Sequence, residues 1–66
     1  MPFVPGTGEN SAIGGYIPTS TSEAEEAKRP KATGQYAIAY GANASASGKW
    51  SIAIGDTAIV EKPTGA

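Results

Sequence analysis

The chain predicts an all-β fold: a short β-roll of two coils, preceded by an extended N-terminal arm and a short helix. Three observations carry this. Glycine recurs every seventh residue at Gly34, Gly41, Gly48 and Gly55. Between the glycines, side chains alternate with the period of two that marks strands. The chain has twelve Ala and no Leu, and Ile, Val and Phe together number nine of 66 residues, too few for an ordinary globular core. A formal net charge of -1 excludes the high-charge route to disorder, which leaves a repeated architecture built from small residues.

Residues 1–22 read as an extended arm. Pro2, Pro5, Gly6, Gly8, Gly14, Gly15 and Pro18, with the run Thr19-Ser20-Thr21-Ser22, break helices and interior strands. Spaced along the arm are Phe3, Val4, Ile13, Tyr16 and Ile17, small apolar clusters suited to attachment on a partner. Residues 23–33 read as a short helix of about two turns or a charged linker. Ser22 followed by Glu25 fits a capping box, Glu23, Glu25 and Glu26 occupy the first turn, Lys28 and Arg29 the last, and Pro30 stops continuation.

Residues 34–61 form the roll. Three residues past each glycine stand Ala37, Ala44, Ser51 and Ala58, and five past stand Ala39, Ala46, Ala53 and Val60, so one face is small and lies where space is tight. The opposite face carries Tyr36, Ile38 and Tyr40 in the first unit and Trp50, Ile52 and Ile54 in the third. It carries Asn43, Ser45 and Ser47 in the second and Thr57, Ile59 and Glu61 in the fourth. The true period is therefore fourteen, two strands per coil with a glycine at each corner, where tolerance of positive φ or of close backbone approach is needed. A helical heptad is excluded, because a glycine in every heptad costs about 1 kcal/mol each and no Leu forms a seam. Residues 62–66 read as a C-terminal tail.

Within residues 34–61, the run AIAYGANASASGKWSIAIGDTAIV resembles the head repeat of trimeric autotransporter adhesins, the YadA-like head, in its pattern S/A-x-A-x-G-x-x-A/S. Ala37, Ala39, Gly41, Ala44, Ala46, Gly48, Ser51, Ala53, Gly55 and Ala58 occupy the pattern's small and glycine positions over about two coils. The resemblance implies a left-handed parallel β-roll that trimerises, with Ile38 and Ile52 facing the threefold axis. Val60 departs from the pattern's inward Ala, and Lys62 with Pro63 replaces the next corner glycine, where the roll should stop.

Without the family, association of several copies, though not their number, also follows from the faces. In a lone two-coil roll, Tyr36, Ile38, Tyr40, Trp50, Ile52 and Ile54 would stay wet, so they are the candidate trimer interface. Their register with Ile38 and Ile52 favours packing between subunits over a sugar or base platform.

Chemistry is sparsely provided for. With no His, no Cys and one Asp, there is no triad, no thiol nucleophile and no nitrogen or sulfur metal ligand, so no catalytic, cofactor or metal site is expected. Asp56 and Glu61 read as solvated surface charges. The glycines from Gly6 to Gly15 lack the lysine of a phosphate loop. The Asn43-Ala44-Ser45 sequon bears only on a secreted glycoprotein. Five basic against six acidic residues give no field for nucleic acid or membrane, and no stretch reads as a membrane span or, at the start, as a secretory signal. The expectation is a non-enzymatic bacteriophage virion protein, made in the host cytoplasm and placed on the outer capsid surface. It would be a homotrimeric decoration or cement protein or short head fibre, anchored by its arm to the major capsid protein or another virion protein. The alternative is a fragment of an adhesin head, or of a phage tail fibre, that binds a host surface.

Overall fold

A computed structural model of the chain describes residues 3–62. Its elements in order are β1 (Val4–Pro5), β2 (Ala12–Gly14), α1 (Glu23–Glu26), β3 (Lys31–Ala32), β4 (Ile38–Tyr40), β5 (Ser45–Ala46), β6 (Ile52–Ile54) and β7 (Ile59–Val60). They form a four-stranded sheet in the order β1-β2-β4-β6 and a three-stranded sheet in the order β3-β5-β7. The fold is β-rich, as expected, and its helix is a single turn.

The repeat is visible in the register. Ile38 pairs with Ile52 and Ser45 with Ile59, each fourteen residues apart and parallel. Each coil thus gives one strand to each sheet. Between the sheets lie Ala32, Ala37, Ala39, Ala44, Ala46, Ala53 and Ser51, none more than 2% exposed. A methyl or hydroxymethyl group is all this spacing admits, which is why Ala and Ser recur on the inward side. Larger inward residues occur only at the ends. Ile13 shares a column with Ala39 and Ala53, and Val60 one with Ala32 and Ala46, each in a terminal coil and each only partly buried.

The corners share one turn. The N–H of Ser11, Ala37, Ala44, Ser51 and Ala58 donates to the carbonyl of Gly8, Gly34, Gly41, Gly48 and Gly55 respectively, at 3.2 to 3.4 Å. The third residue of each turn, Asn10, Tyr36, Asn43, Trp50 or Thr57, has φ of 58 to 63°, the positive φ that a type II turn requires at that place. Tyr36 and Trp50 are therefore turn residues rather than strand residues. Gly41 also has positive φ, +121°. Gly34 does not, and neither does Gly48: the constraint at Gly34 is proximity, since an added Cβ would stand 2.2 Å from the Gly48 carbonyl oxygen of the next coil.

Three expectations need correction. First, residues 1–22 are not simply an extended arm. β1 and β2 form an antiparallel pair, and β2 joins β4 in parallel, Ala12 opposite Ile38. Gly8 to Gly15 thus supply the first-sheet half of a further coil and β3 supplies the second-sheet half, so the described residues hold three coil levels rather than two, and the larger sheet is mixed. The coil tolerates this because residues 16–27 leave it at one corner as an excursion and the chain re-enters at Lys28, whose carbonyl accepts from Asn43 N–H.

Second, residues 23–33 split: α1 occupies the excursion, while Lys31 and Ala32 lie in the second sheet, paired with Ser45 and Ala46. Third, the helix is one turn rather than two, and Lys28 and Arg29 lie beyond it. Ser22 caps it by accepting from Glu25 N–H at 3.3 Å, but the Glu25 carboxylate turns away to other donors, so the capping box is half made. Of the tail, Lys62 is described; Pro63, where the roll was expected to end, lies outside the described residues, as do Met1 and Pro2.

Candidate functional site

The outer face of the first sheet gathers the residues expected at an interface. Two, four and six residues past each glycine, the three levels present Asn10, Ala12 and Gly14, then Tyr36, Ile38 and Tyr40, then Trp50, Ile52 and Ile54. No charge falls among these nine. Apolar bulk grows from the first level to the last, and exposure follows it: Tyr36 is 36%, Ile52 39%, Trp50 51% and Ile54 67% exposed, while Ile38 and Tyr40 are half-buried. The second sheet presents Lys31, Ser45 and Ile59 in the equivalent column, a mixed surface at home in water.

Neighbouring levels lean on one another across this face. The rings of Tyr36 and Trp50 stack with centroids 4.3 Å apart and planes 22° from parallel. That contact offsets left-handed backbone that costs a bulky residue about 1–2 kcal/mol. The Tyr40 ring lies over Gly14, where an added Cβ would come within 3.2 Å of it and 3.5 Å of Phe3, and the Phe3 ring packs on Tyr40 at 5.4 Å between centroids. Tyr40 is thus partly engaged within its own chain.

The residues expected to attach the arm divide. Ile13 packs against the alanine core, and Tyr16 donates its hydroxyl to the Glu25 carboxylate, so neither is free for a partner. Phe3, Val4 and Ile17 remain exposed. Two clefts run along the first coil, and Val4 and Ile17 line the smaller. One of about 380 Å³ is lined by Pro5, Ile13, Arg29, Pro30 and Ala32 among others; a second of about 220 Å³ includes Val4, Ile13, Tyr16 and Ile17.

Glu25 organises the excursion. Its carboxylate accepts from Tyr16 Oη, from Thr19 N and Oγ1 at 3.2 and 3.0 Å, and from Lys28 Nζ at 3.1 Å. The Tyr16 hydroxyl, then the Thr19 amide and Lys28, hold its pKa down to about 2. The same hydrogen bond pushes the Tyr16 phenol above its ordinary value. Arg29 likewise lies on Glu26 at 2.9 Å. Sequence reasoning missed this node because it placed Glu25 in the capping box and Lys28 in the helix. The Glu25–Lys28 spacing of three was the available signal.

Among the described residues, no three His, Cys, Asp or Glu side chains are placed to hold a metal ion, and no helix is long and apolar enough to cross a membrane. Asp56 Oδ1 accepts from Thr57 Oγ1 at 2.6 Å on the surface. Compared with family models, with curated proteins and with solved structures, the chain finds no match.

Proposed function

We propose that this chain is a non-enzymatic structural protein that works as a homotrimer, with the outer face of its first sheet closed against identical copies. In this reading the coils form a left-handed β-roll of the YadA-like head kind. The trimer serves as a capsid decoration or cement protein, or short head fibre, on the outside of a bacteriophage virion. The observation that carries the reading is the uncharged face on which Tyr36, Trp50, Ile52 and Ile54 are exposed beside the half-buried Ile38, while every fully buried core residue is small. Fully burying an Ile or Trp side chain contributes about 1.5–3 kcal/mol, so most of the hydrophobic gain open to this chain lies outside its own core. Attachment to the shell falls to Phe3, Val4 and Ile17, exposed apolar residues of which Val4 and Ile17 line a cleft of the first coil.

The test is mass in solution with a variant that charges the face. Light scattering at micromolar concentration should give three chains, or a multiple of three, for the native sequence. Ile38→Asp, placed on the inner strand β4, should lower the mass to fewer chains, because three carboxylates would gather in a dry contact. A folded native monomer sinks the proposal. Attachment is tested separately: Phe3→Ser with Ile17→Ser should keep the trimer and lose co-sedimentation with particles, and particle binding unchanged in that variant removes the shell role.

A further inference from the structure

The two ends of the coil stack differ. At the first level, the larger sheet is closed by β1, an antiparallel edge strand containing Pro5, which has no N–H to offer an incoming strand. At the last level, β6 and β7 have no further strand beside them among the described residues. At Gly15 and Gly41 an added Cβ would meet the next level's glycine backbone at 2.7 and 2.8 Å, whereas at Gly55 it would meet nothing within 4 Å. The most exposed apolar strand residues, Ile54 at 67% and Ile59 at 60%, stand on this end.

The direction of the open backbone groups follows from the level before. Ile38 N–H donates to Ser51 O, and Tyr40 O accepts from Gly55 N–H, so residues 38 and 40 turn their polar groups toward the next coil. One level on, Ile52 and Ile54 turn theirs outward from the edge. In the second sheet Ser45 and Ser47 donate to Ala58 O and Val60 O, so Ile59 and Glu61 correspond.

We infer that this end is a docking edge for a second copy of the chain, joined tail to tail by antiparallel pairing of β6 with β6. The segment Ile52-Ala53-Ile54 reads the same in both directions. Antiparallel pairing about Ala53 sets Ile52 against the partner's Ile54 as a hydrogen-bonded pair and Ile54 against the partner's Ile52, with both isoleucines on one face and alanine on the other. The twofold axis that does this runs through the sheets, so it also pairs β7 with β7 about Val60. A head-to-tail arrangement would need the β1 edge, which Pro5 closes, so the contact is isologous and ends at two copies rather than growing into a filament. This pairing uses the strand edge and not the sheet face; combined with the threefold association, it joins two trimers.

The test uses the full chain with Ile52→Cys and Ile54→Cys, singly and together. Hydrogen-bonded antiparallel partners lie about 5.5 Å apart between Cα atoms, inside the range a disulfide spans. Under mild oxidation, the double variant and an equal mixture of the two single variants should give a covalent dimer, with each single variant roughly tenfold less cross-linked. Ile38→Asp added to the double variant should leave the cross-link, since residue 38 lies off the edge; this separates failure of the face from failure of the edge. Ile52→Pro, which removes one outward N–H, should halve the native mass in light scattering. Cross-linking by Ile52→Cys alone as fast as by the pair, no cross-link in any arm, or an unchanged mass for a folded Ile52→Pro overturns the inference. Should Ile52→Pro lose its fold, the cross-linking arms decide.

Discussion

The coil closed by residues 8–34 and the coil closed by residues 34–48 use the same turns and the same ladder, yet one contains a twelve-residue excursion and the other contains none. Ser11 N–H donates to Gly8 O and Ala37 N–H to Gly34 O, both at 3.2 Å. Tyr36 N–H meets Glu9 O just as Trp50 N–H meets Gln35 O, both at 2.9 Å. What the two coils share is the set of corner and ladder positions; what they do not share is contiguity. A level of this fold is defined by where backbone groups meet the next level, and the chain between two such meetings can be lengthened at a corner at the modest entropic cost of a longer loop.

The sharpest way to break this equivalence is at the glycines that touch between levels. Gly34→Ala places a methyl group 2.2 Å from a backbone oxygen, which no rotamer change relieves. It should destabilise by roughly 3 kcal/mol or more in urea titrations, and a loss below 1 kcal/mol would show that the levels can separate. Next comes excision of residues 16–27, joining Gly15 to Lys28 as Gly41 is joined to Ala42. The shortened chain should keep its strand signature in circular dichroism and lose no more than about 2 kcal/mol. An unfolded product would mean that the excursion supports the coil rather than decorating it.

A smaller effect, of opposite sign, is expected at the corners. Thr57 is a β-branched residue with φ of 60°, at the position where Asn10 and Asn43 stand in other turns. Thr57→Asn should stabilise by up to about 1 kcal/mol in thermal melts. A decrease would mean that the Thr57 hydroxyl on Asp56 outweighs the strain.

The smallest change concerns the excursion itself. Glu25 has its pKa lowered to about 2, so its contribution is present above the ordinary carboxylate range, near 4.5, and fades as pH falls toward 2. Tyr16 has its pKa raised, so its contribution is present at neutral pH and is lost as pH rises through the shifted value. Glu25→Gln should return the Tyr16 phenol toward its ordinary titration, read by ultraviolet absorbance, while the ladder amides stay protected from exchange. No movement of the Tyr16 titration would remove Glu25 as the organiser.

How far the sequence discloses this arrangement varies along the chain. Ala37, Ala39, Ala44, Ala46 and Ala53 are legible as inward, because alternation with glycine every seven residues leaves them one consistent side. The first level was harder to see. Gly8 and Gly15 keep the spacing of seven, and Ser11 occupies the small position, but Ile13 stands where an inward Ala is usual and the excursion breaks the fourteen-residue period. Ile13 fits because its level is terminal, a fact of position that local pattern does not encode.

The aromatic corners also escaped. Alternation assigned Tyr36 and Trp50 to strands, whereas the turn that follows each glycine needs positive φ two residues on, whichever side chain stands there. The outward residues of β4 and β6 were readable by parity. That Phe3 would fold back onto Tyr40, and that Ile13 and Tyr16 would be occupied within the chain, depends on contacts between segments far apart in sequence.

An interior of methyl groups also sets how this protein should respond to temperature. Heat-capacity change on unfolding scales with newly hydrated apolar area, and Ala32, Ala37, Ala39, Ala44, Ala46 and Ala53 have little of it to surrender. A single subunit should therefore show a heat-capacity increment below the ~12–15 cal/mol/K per residue of ordinary domains. Its free energy of unfolding would then vary only gently from cold to warm, as befits a framework held by its backbone.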